Sequence, residues 1–123
     1  MICVSAIANN LDAALDPRFG RCAYFIILNP ENMQFNAIPN SGVEATGGAG
    51  IQAAQTIADK GAKTVITGNV GPNAFKALSA AGIEIVTGAS GTVREVVEKY
   101  KKGQYCKTTA PTVSGHHGSG GRQ

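Results

Sequence analysis

The pattern T-G-x-x-G occurs three times in this chain and strongly limits the folds that the chain can adopt. The copies are "TGGAG" at 46–50, "TGNVG" at 67–71 and "TGASG" at 87–91, and they start 21 and 20 residues apart. The second and third copies follow short apolar runs, and each copy precedes a segment with helical periodicity. Turns from strand to helix at a near-constant spacing predict repeated strand and helix units of one parallel sheet.

The elements predicted around these turns form a mixed α/β fold. Apolar runs at 2–8, 24–28 and 33–38 predict three strands, and the turn "NPEN" joins the last two as a hairpin. Two shorter strands are predicted at 63–67 and 84–86, and each predicted helix ends at a glycine. This order predicts a five-stranded sheet of order 3-2-1-4-5 with three helices packed on its faces, as in ribonuclease H-like folds.

Length and composition predict one domain with a tail. The chain has 123 residues, which is the usual size of a single domain with its own core. We expect the domain to span residues 1–107 and a flexible tail rich in Gly, Ser and His to span 108–123. No apolar run reaches the roughly 20 residues that a membrane span needs, and the N-terminus lacks the features of a signal peptide. Three widely spaced cysteines favour a reducing compartment, so a cytoplasmic protein is expected.

The charges are divided unevenly along the chain. Residues 1–98 hold six Lys or Arg against eight acids, whereas residues 99–123 hold five basic residues and no acid. The predicted domain is therefore slightly acidic, and binding of nucleic acid by it has little electrostatic support.

The carboxyl edge of the predicted sheet is the expected binding site. In open α/β sheets ligands bind at this edge, where glycines let the backbone approach a ligand and helix N-termini offer unpaired amides to an anion. The alternative is that the glycines serve only turn geometry and close packing. The candidate residues in these turns are Gly47, Gly48, Gly50, Gly68, Asn69, Gly71, Asn73, Gly88 and Gly91.

A second candidate group lies in "DPRFGRCAYF" at 16–25. Arg18 and Arg21 stand on a loop at the same edge and suit a ligand with several negative charges. Cys22 could supply one thiolate to a metal or a metal-sulfur ligand. The alternatives are that Arg18 pairs with Asp16 or Asp12 at the surface and that Cys22 is a buried apolar residue.

A third combination of metal-binding side chains lies in the tail. Cys106, His116 and His117 could form a loose metal site, but C-x9-H-H is not an established ligand spacing, and chance is the favoured explanation.

Patterns typical of catalysis are missing from the sequence. The first predicted strand, "ICVSAIA", carries none of the carboxylates that a two-metal nuclease needs. "GAGIQA" at 48–53 matches G-x-G-x-x-A, but no acid ends the next strand to hold a ribose. A phosphate-binding G-x-x-x-x-G-K motif and a G-x-S-x-G motif are also absent. We therefore expect a protein that is not an enzyme.

Four segments in register resemble a known family. "DPRFGRCAYF", "GGAGIQAAQ", "VITGNVGPNAFKALSAAGIEIVTG" and "GTVREVVEKYKKGQ" are similar to the dinitrogenase iron-molybdenum cofactor biosynthesis family, in its small stand-alone form. The similarity covers about residues 1–105. It implies a ribonuclease H-like fold and the binding or carriage of an anionic metal-sulfur cluster, with Arg18, Arg21 and the glycine turns at 47–50 and 68–73 as the binding elements. Some relatives offer a histidine or an extra cysteine near the crevice, where this chain has only Cys22.

Residues and resemblance together predict a non-catalytic binding or carrier protein for an iron-sulfur or iron-molybdenum type cluster. Its expected partners are proteins that donate or accept the cluster, without nucleic acid or membrane, and the expected state is a monomer or a weak dimer. One alternative is a regulatory domain that binds a nucleotide or phosphate ligand in the same turns. Another is a protein-interaction module without a ligand.

Overall fold

A computed structural model of the chain describes residues 1–40 and 48–112. Within them, strands alternate with helices in the second half, as the spacing of the glycine turns predicts. The strands are β1 (Ile2–Ala6), β2 (Tyr24–Leu28), β3 (Phe35–Pro39), β4 (Thr64–Ile66) and β5 (Glu84–Val86). The helices are α1 (Ala49–Asp59), α2 (Pro72–Ala80) and α3 (Val93–Lys101), with a short 3-10 helix at Phe19–Arg21.

The strands form one mixed sheet of order β3-β2-β1-β4-β5. β1 is antiparallel to β2 and parallel to β4, so Val4 pairs with Ile26 on one side and with Ile66 on the other. β3 is antiparallel to β2, and β5 is parallel to β4. The predicted α/β class, strand order and number of helices are confirmed. The ribonuclease H-like assignment stays a prediction.

Helices cover both faces of the sheet. One apolar cluster joins Cys3 of β1 to Ile57 of α1 and Leu78 of α2. A second cluster joins Val4 of the same strand to Val96 of α3. Because adjacent strand residues point to opposite faces, β1 is buried on both of its sides. The domain therefore has three layers, with α1 and α2 on one face and α3 on the other.

α3 shows how local sequence and packing agree. Its buried residues Val93, Val96 and Val97 form the apolar stripe that the periodicity predicts. A capping box closes its first turn, since Thr92 accepts a hydrogen bond from the Glu95 amide and the Glu95 side chain accepts one from the Thr92 amide. None of the helices in the described residues is long and apolar enough to cross a membrane.

Two strand boundaries differ from the predicted ones by two residues, and the other differences are of one residue. The first strand ends at Ala6 rather than at residue 8, and Ile7 is exposed because the chain turns there to pair Ala6 with Leu15. The third strand begins at Phe35, because Met33 lies in the preceding turn with a positive φ of 61°. Apolar character alone therefore extended both predicted strands into turns.

The chain after α3 returns along the sheet toward its carboxyl edge. The Thr108 amide donates to the Ile85 carbonyl of β5 (2.6 Å), and the Thr112 amide donates to the Val70 carbonyl (2.9 Å). The Val70 amide donates to Thr112 Oγ1 (2.8 Å). The start of the predicted tail at residue 108 thus lies in a segment that contacts the domain. Residues 113–123 of that tail lie outside the described residues.

Replacing Thr108 with Val tests whether this segment stabilises the domain. Thr108 Oγ1 accepts a hydrogen bond from the Thr87 amide (3.1 Å) and shares another with Thr87 Oγ1 (2.7 Å). Thr108→Val should lower the free energy of unfolding by about 1 kcal/mol, because the Thr87 amide loses its hydrogen-bond acceptor. Denaturant unfolding should show this loss and no loss for the neighbouring exposed control Thr109→Val. Equal stability of the two variants would contradict a stabilising role.

Candidate functional site

A pocket of about 480 Å³ lies at the carboxyl edge of the sheet, on the face covered by α1 and α2. The loop after β1 forms one wall, and the first turns of the two helices form the others. The lining residues are Arg18, Phe19, Gly20, Arg21, Gly48, Ala49, Gly50, Asn69, Gly71, Asn73 and Ala74. Such a volume lies within the roughly 300–1,000 Å³ of small-molecule sites.

The pocket brings together many of the residues predicted from the sequence. Arg18 and Arg21 of the loop meet the glycines and asparagines of the first two T-G-x-x-G turns. Phe19, Gly20, Ala49 and Ala74 also line the pocket and were not predicted. Their common feature is that each flanks a predicted residue in the sequence, so small or apolar neighbours of the charged and glycine positions were the available signal.

The third T-G-x-x-G turn does not belong to the pocket. Gly88 and Gly91 are not among the lining residues, and the Gly91 carbonyl accepts a hydrogen bond from the Leu15 amide (2.8 Å) at the start of α3. α3 lies on the other face of the sheet, where Val96 packs in the same apolar cluster as Val4 of β1. The pocket therefore contains candidate residues of the first two turns but not Gly88 and Gly91 of the third, and two helix N-termini border it.

Glycines bring the loop and the two helices into close contact. A Cβ on Gly50 would lie 2.8 Å from Ala74 Cβ, and a Cβ on Gly20 would lie 2.9 Å from the Gly50 amide nitrogen. Gly68 does not line the pocket, but a Cβ there would lie 2.6 Å from Pro17 Cα. The glycines thus serve close packing, and this packing forms the pocket walls.

The two helices at the pocket begin without the side-chain caps that α3 has. Gly48 precedes α1 in a left-handed conformation (φ 75°), and Gly71 precedes α2. Within the described residues, no hydrogen bond is formed by the first-turn amides of Ala49, Gly50, Ile51, Asn73 and Ala74. At α3, by contrast, the Val93 and Arg94 amides donate to the Ala13 and Leu11 carbonyls. Unpaired first-turn amides carry partial positive charge and can donate to an anion.

Arg18 is held at the pocket by Asp16. Its Nε donates to Asp16 Oδ1 (3.1 Å) and its Nη2 to Asp16 Oδ2 (3.0 Å), so that the two groups form a two-pronged ion pair. The Asp16 side chain is only 3% exposed, whereas that of Arg18 is 67% exposed. The pair raises the pKa of Arg18, chiefly through these hydrogen bonds. The pairing considered from the sequence is therefore present, with a buried carboxylate instead of a surface one.

Asn40 and Asn69 fix the loop that carries both arginines. The Asn40 side-chain amide is buried and donates to the carbonyls of Gly20 (3.1 Å) and Cys22 (2.9 Å). The Asn69 amide donates to the Pro17 carbonyl (2.8 Å), and Arg18 pairs with Asn69 as an isolated parallel bridge. The loop is thus attached to β3 on one side and to the turn before α2 on the other. Arg21 lies within this attached segment and is exposed.

Cys22 lies behind the pocket wall and not in it. It is fully buried, its Sγ lies 3.3 Å from the Phe19 carbonyl as a donor, and it belongs to the apolar cluster of α1 and α2. Burial raises the pKa of Cys22 to about 12, with the charge of Asp16 as a second cause. The thiol is therefore protonated at neutral pH in this conformation, and its geometry does not support the predicted thiolate ligand.

The other predicted metal ligands do not form a site in the described residues. Cys106 is exposed. Cys3, which is not a predicted ligand, is buried in the core, where burial raises its pKa well above the ordinary value. Groups of three His, Cys, Asp or Glu side chains suited to a metal do not occur among residues 1–40 and 48–112. His116, His117 and Gly47 lie outside these ranges, and their predicted roles stay predictions.

The fold and the pocket, together with the family and the relatives given next, are consistent with a small α/β protein that binds or carries a cofactor. A family model described as dinitrogenase iron-molybdenum cofactor matches residues 1–103, and the chain belongs to this family. The family that the four sequence segments indicate is thereby confirmed.

Two solved structures and one related sequence are similar to this chain. The apo form of the orange protein from Desulfovibrio gigas superposes with a TM-score of 0.89 at 39% identity, over 91% of this chain and 95% of that one. A putative NifB protein from Thermotoga superposes with a TM-score of 0.77 at 28% identity, over 91% and 97%. An uncharacterized protein of Methanocaldococcus jannaschii is 29% identical over 93 residues, which are 73% of this chain and 79% of the relative.

Two glycine variants separate packing from the space inside the pocket. Gly68→Ala should lower the free energy of unfolding by roughly 1–3 kcal/mol, because the added Cβ meets the Pro17 backbone. Gly71→Ala should cost less than about 1 kcal/mol, because a Cβ at Gly71 meets no atom within 4 Å. Denaturant unfolding of both variants measures the difference. Equal losses would show that the close approach at Gly68 is not needed.

Alkylation measures the accessibility of the three thiols. Iodoacetamide at pH 8 should add one group to the folded protein, at the exposed Cys106, because Cys3 and Cys22 are buried and protonated. Mass spectrometry of the intact protein follows the reaction, and Cys106→Ser should show no fast adduct. Rapid labelling of Cys22 would mean that the loop opens and that the thiolate is available to a metal.

Proposed function

We propose that this protein is a non-catalytic carrier that binds an anionic metal-sulfur cluster, of iron-sulfur or iron-molybdenum type, in the pocket at the carboxyl edge. The cluster is cargo received from a donor protein and passed to an acceptor protein. The protein would act in the cytoplasm as a monomer or weak dimer. The family and the cofactor-related names of its relatives support this proposal.

One observation carries the proposal. Two helix starts without side-chain caps and two arginines line the same pocket, which is a concentration of hydrogen-bond donors and positive potential in a slightly acidic domain. A helix that needs no ligand can satisfy its own first turn, as α3 does with Thr92 and Glu95. Amides, arginines and the side chains of Phe19, Ala49 and Ala74 would suit cluster sulfides, which accept hydrogen bonds and tolerate apolar contact.

The solved relatives support the choice of ligand class. The orange protein is described in its apo form, a term for a protein without the ligand that it binds, and it matches this fold over nearly its whole length. The Thermotoga relative is described as a putative NifB protein. Both descriptions apply to those relatives. Like the family name of this chain, they point to cofactor chemistry.

The second candidate is a regulatory domain for a nucleotide or phosphate ligand. Helix N-termini bind phosphate in many α/β proteins, and the pocket has two of them. The carboxylate of Asp16 beside Arg18 disfavours this candidate, because it offsets the nearest cation.

Titration with tetrathiomolybdate, a soluble dianion of molybdenum and sulfide, tests the proposal. Wild-type protein should bind this anion, whereas Arg18→Gln with Arg21→Gln should bind it at least about a hundredfold more weakly, because two charged donors are lost. The affinity of wild type should fall between ionic strengths of about 0.01 M and 0.15 M, and that of the variant should change less. Anaerobic calorimetry measures all four affinities.

The matched control removes two cations from the other face. Arg94→Gln with Lys99→Gln changes the net charge equally, but both residues lie exposed on α3, away from the pocket. This control should bind like wild type. Binding that is equal in all three proteins would exclude the pocket arginines as the binding groups, and a thermal shift with ATP alone would favour the nucleotide candidate.

A further inference from the structure

We propose that Asp16 determines which anions the pocket accepts, because it offsets the charge of Arg18 and so favours large, diffuse sulfur-bearing anions over compact oxyanions. Asp16 contacts Arg18 and does not line the pocket itself, so it acts as a positioning and specificity residue. The inference rests on the proposed function and adds a reason for its ligand class.

Asp16 occupies the edge of the Arg18 guanidinium that best recognises oxyanions. A guanidinium binds carboxylate or phosphate oxygens through pairs of parallel N–H groups. In this structure the Nε and Nη2 pair of Arg18 is directed at Asp16, at 3.1 and 3.0 Å. The Asp16 Oδ1 atom also accepts the Arg18 backbone amide at 3.0 Å, which fixes the carboxylate relative to the loop. From Arg18, an anion in the pocket can therefore accept hydrogen bonds only from the N–H groups that Asp16 does not bind.

The backbone of Asp16 is anchored to the end of β1. Its amide donates to the Ser5 carbonyl at the end of β1 (2.9 Å), and its carbonyl accepts from Ser5 Oγ (2.6 Å). Ser5 Oγ also shares a hydrogen bond of 2.7 Å with Thr67 Oγ1, just after β4. All three residues are buried. Asp16 is thus a buried residue of the sheet edge, and its carboxylate is held by the backbone amide and the side chain of Arg18.

This arrangement changes the energetics of binding differently for two kinds of anion. A compact oxyanion loses strong hydration when it enters the pocket and needs full charges and direct donors to replace it. A sulfide-rich anion spreads its charge over larger, more weakly hydrated atoms, so it needs fewer full charges, and amides and contact with Phe19, Ala49 and Ala74 add to what the arginines supply. Because Asp16 offsets the charge of Arg18, one of the two arginines that line the pocket, the pocket is shifted toward the second kind of environment.

Molybdate and tetrathiomolybdate test this inference as a matched pair of probes. Both are tetrahedral dianions of the same metal, and they differ in oxygen against sulfur. Wild type should bind tetrathiomolybdate at least about tenfold more tightly. Asp16→Asn should reduce this preference about tenfold, mainly through tighter binding of molybdate, because charged donors of Arg18 become available. Anaerobic calorimetry with both probes gives the two affinities, and thermal unfolding verifies that the variant is folded.

Three further variants separate charge offset from a structural role. Asp12→Asn is the matched control, since Asp12 is exposed and pairs with Arg94, and it should keep the wild-type preference. Asp16→Asn combined with Arg18→Gln removes both charges and should restore the wild-type preference, which damage to the fold would not do. If Asp16→Asn alone does not fold, Asn73→Lys decides, because it adds an unpaired cation to the pocket and should lower the preference at least about threefold.

The outcomes also distinguish this inference from the proposed function. If wild type binds neither probe, the proposed function fails and the inference fails with it. If wild type binds tetrathiomolybdate but the folded Asp16→Asn, or Asn73→Lys in its place, keeps the full preference, Asp16 does not select the anion and the inference alone is overturned.

Discussion

The close approach of Pro17 to Gly68 is the contact on which the candidate site depends. The two residues lie so near that a single added carbon at Gly68 would overlap Pro17, and the adjacent Asn69 amide donates to the Pro17 carbonyl. This contact attaches the arginine loop to the turn between β4 and α2. Together with the hydrogen bonds of Asn40 and the approach of Gly20 to Gly50, it sets the position of this loop relative to the helix starts. The sheet supplies the edge, and the glycine determines how near the loop comes to it.

Much of the fold could be predicted because its signals are local. The continuous apolar run of β1, the apolar stripe of α3 and the glycine ends of the helices at Gly61, Gly82 and Gly103 each follow from a few neighbouring residues. Strand order followed from the hairpin and the parallel units together. The strand ends at Ala6 and Phe35 could not be predicted as well, because turns next to them also contain apolar residues.

The sequence indicated which residues belong to the site, but it did not indicate how deeply they are buried or how they are arranged relative to one another. Glycine turns and paired arginines have recognisable patterns, so Arg18, Gly50 and Asn69 could be assigned to one edge from the sequence. Burial depends on what packs from elsewhere in the chain, and no local pattern distinguishes a buried Asp16 or Cys22 from an exposed one. The third turn leads into α3 on the opposite face from α1 and α2, and no local pattern in the sequence indicates which face a helix covers.

The helix starts on the two faces of the sheet differ in how their polar groups are satisfied. On the α3 face, the helix start is completed by Thr92, Glu95 and two loop carbonyls, so its polar groups are satisfied within the chain. On the other face, α1 and α2 begin at glycines, and their first-turn amides beside the pocket form no hydrogen bond within residues 1–40 and 48–112. A helix start with glycine at its N-cap is less stable by about a few tenths of a kcal/mol than one capped by Ser, Thr, Asn or Asp, and the contact of Gly50 with Ala74 between the helices offsets part of this cost. A bound anion would supply the missing hydrogen bonds, so binding would stabilise the same helices that form the pocket.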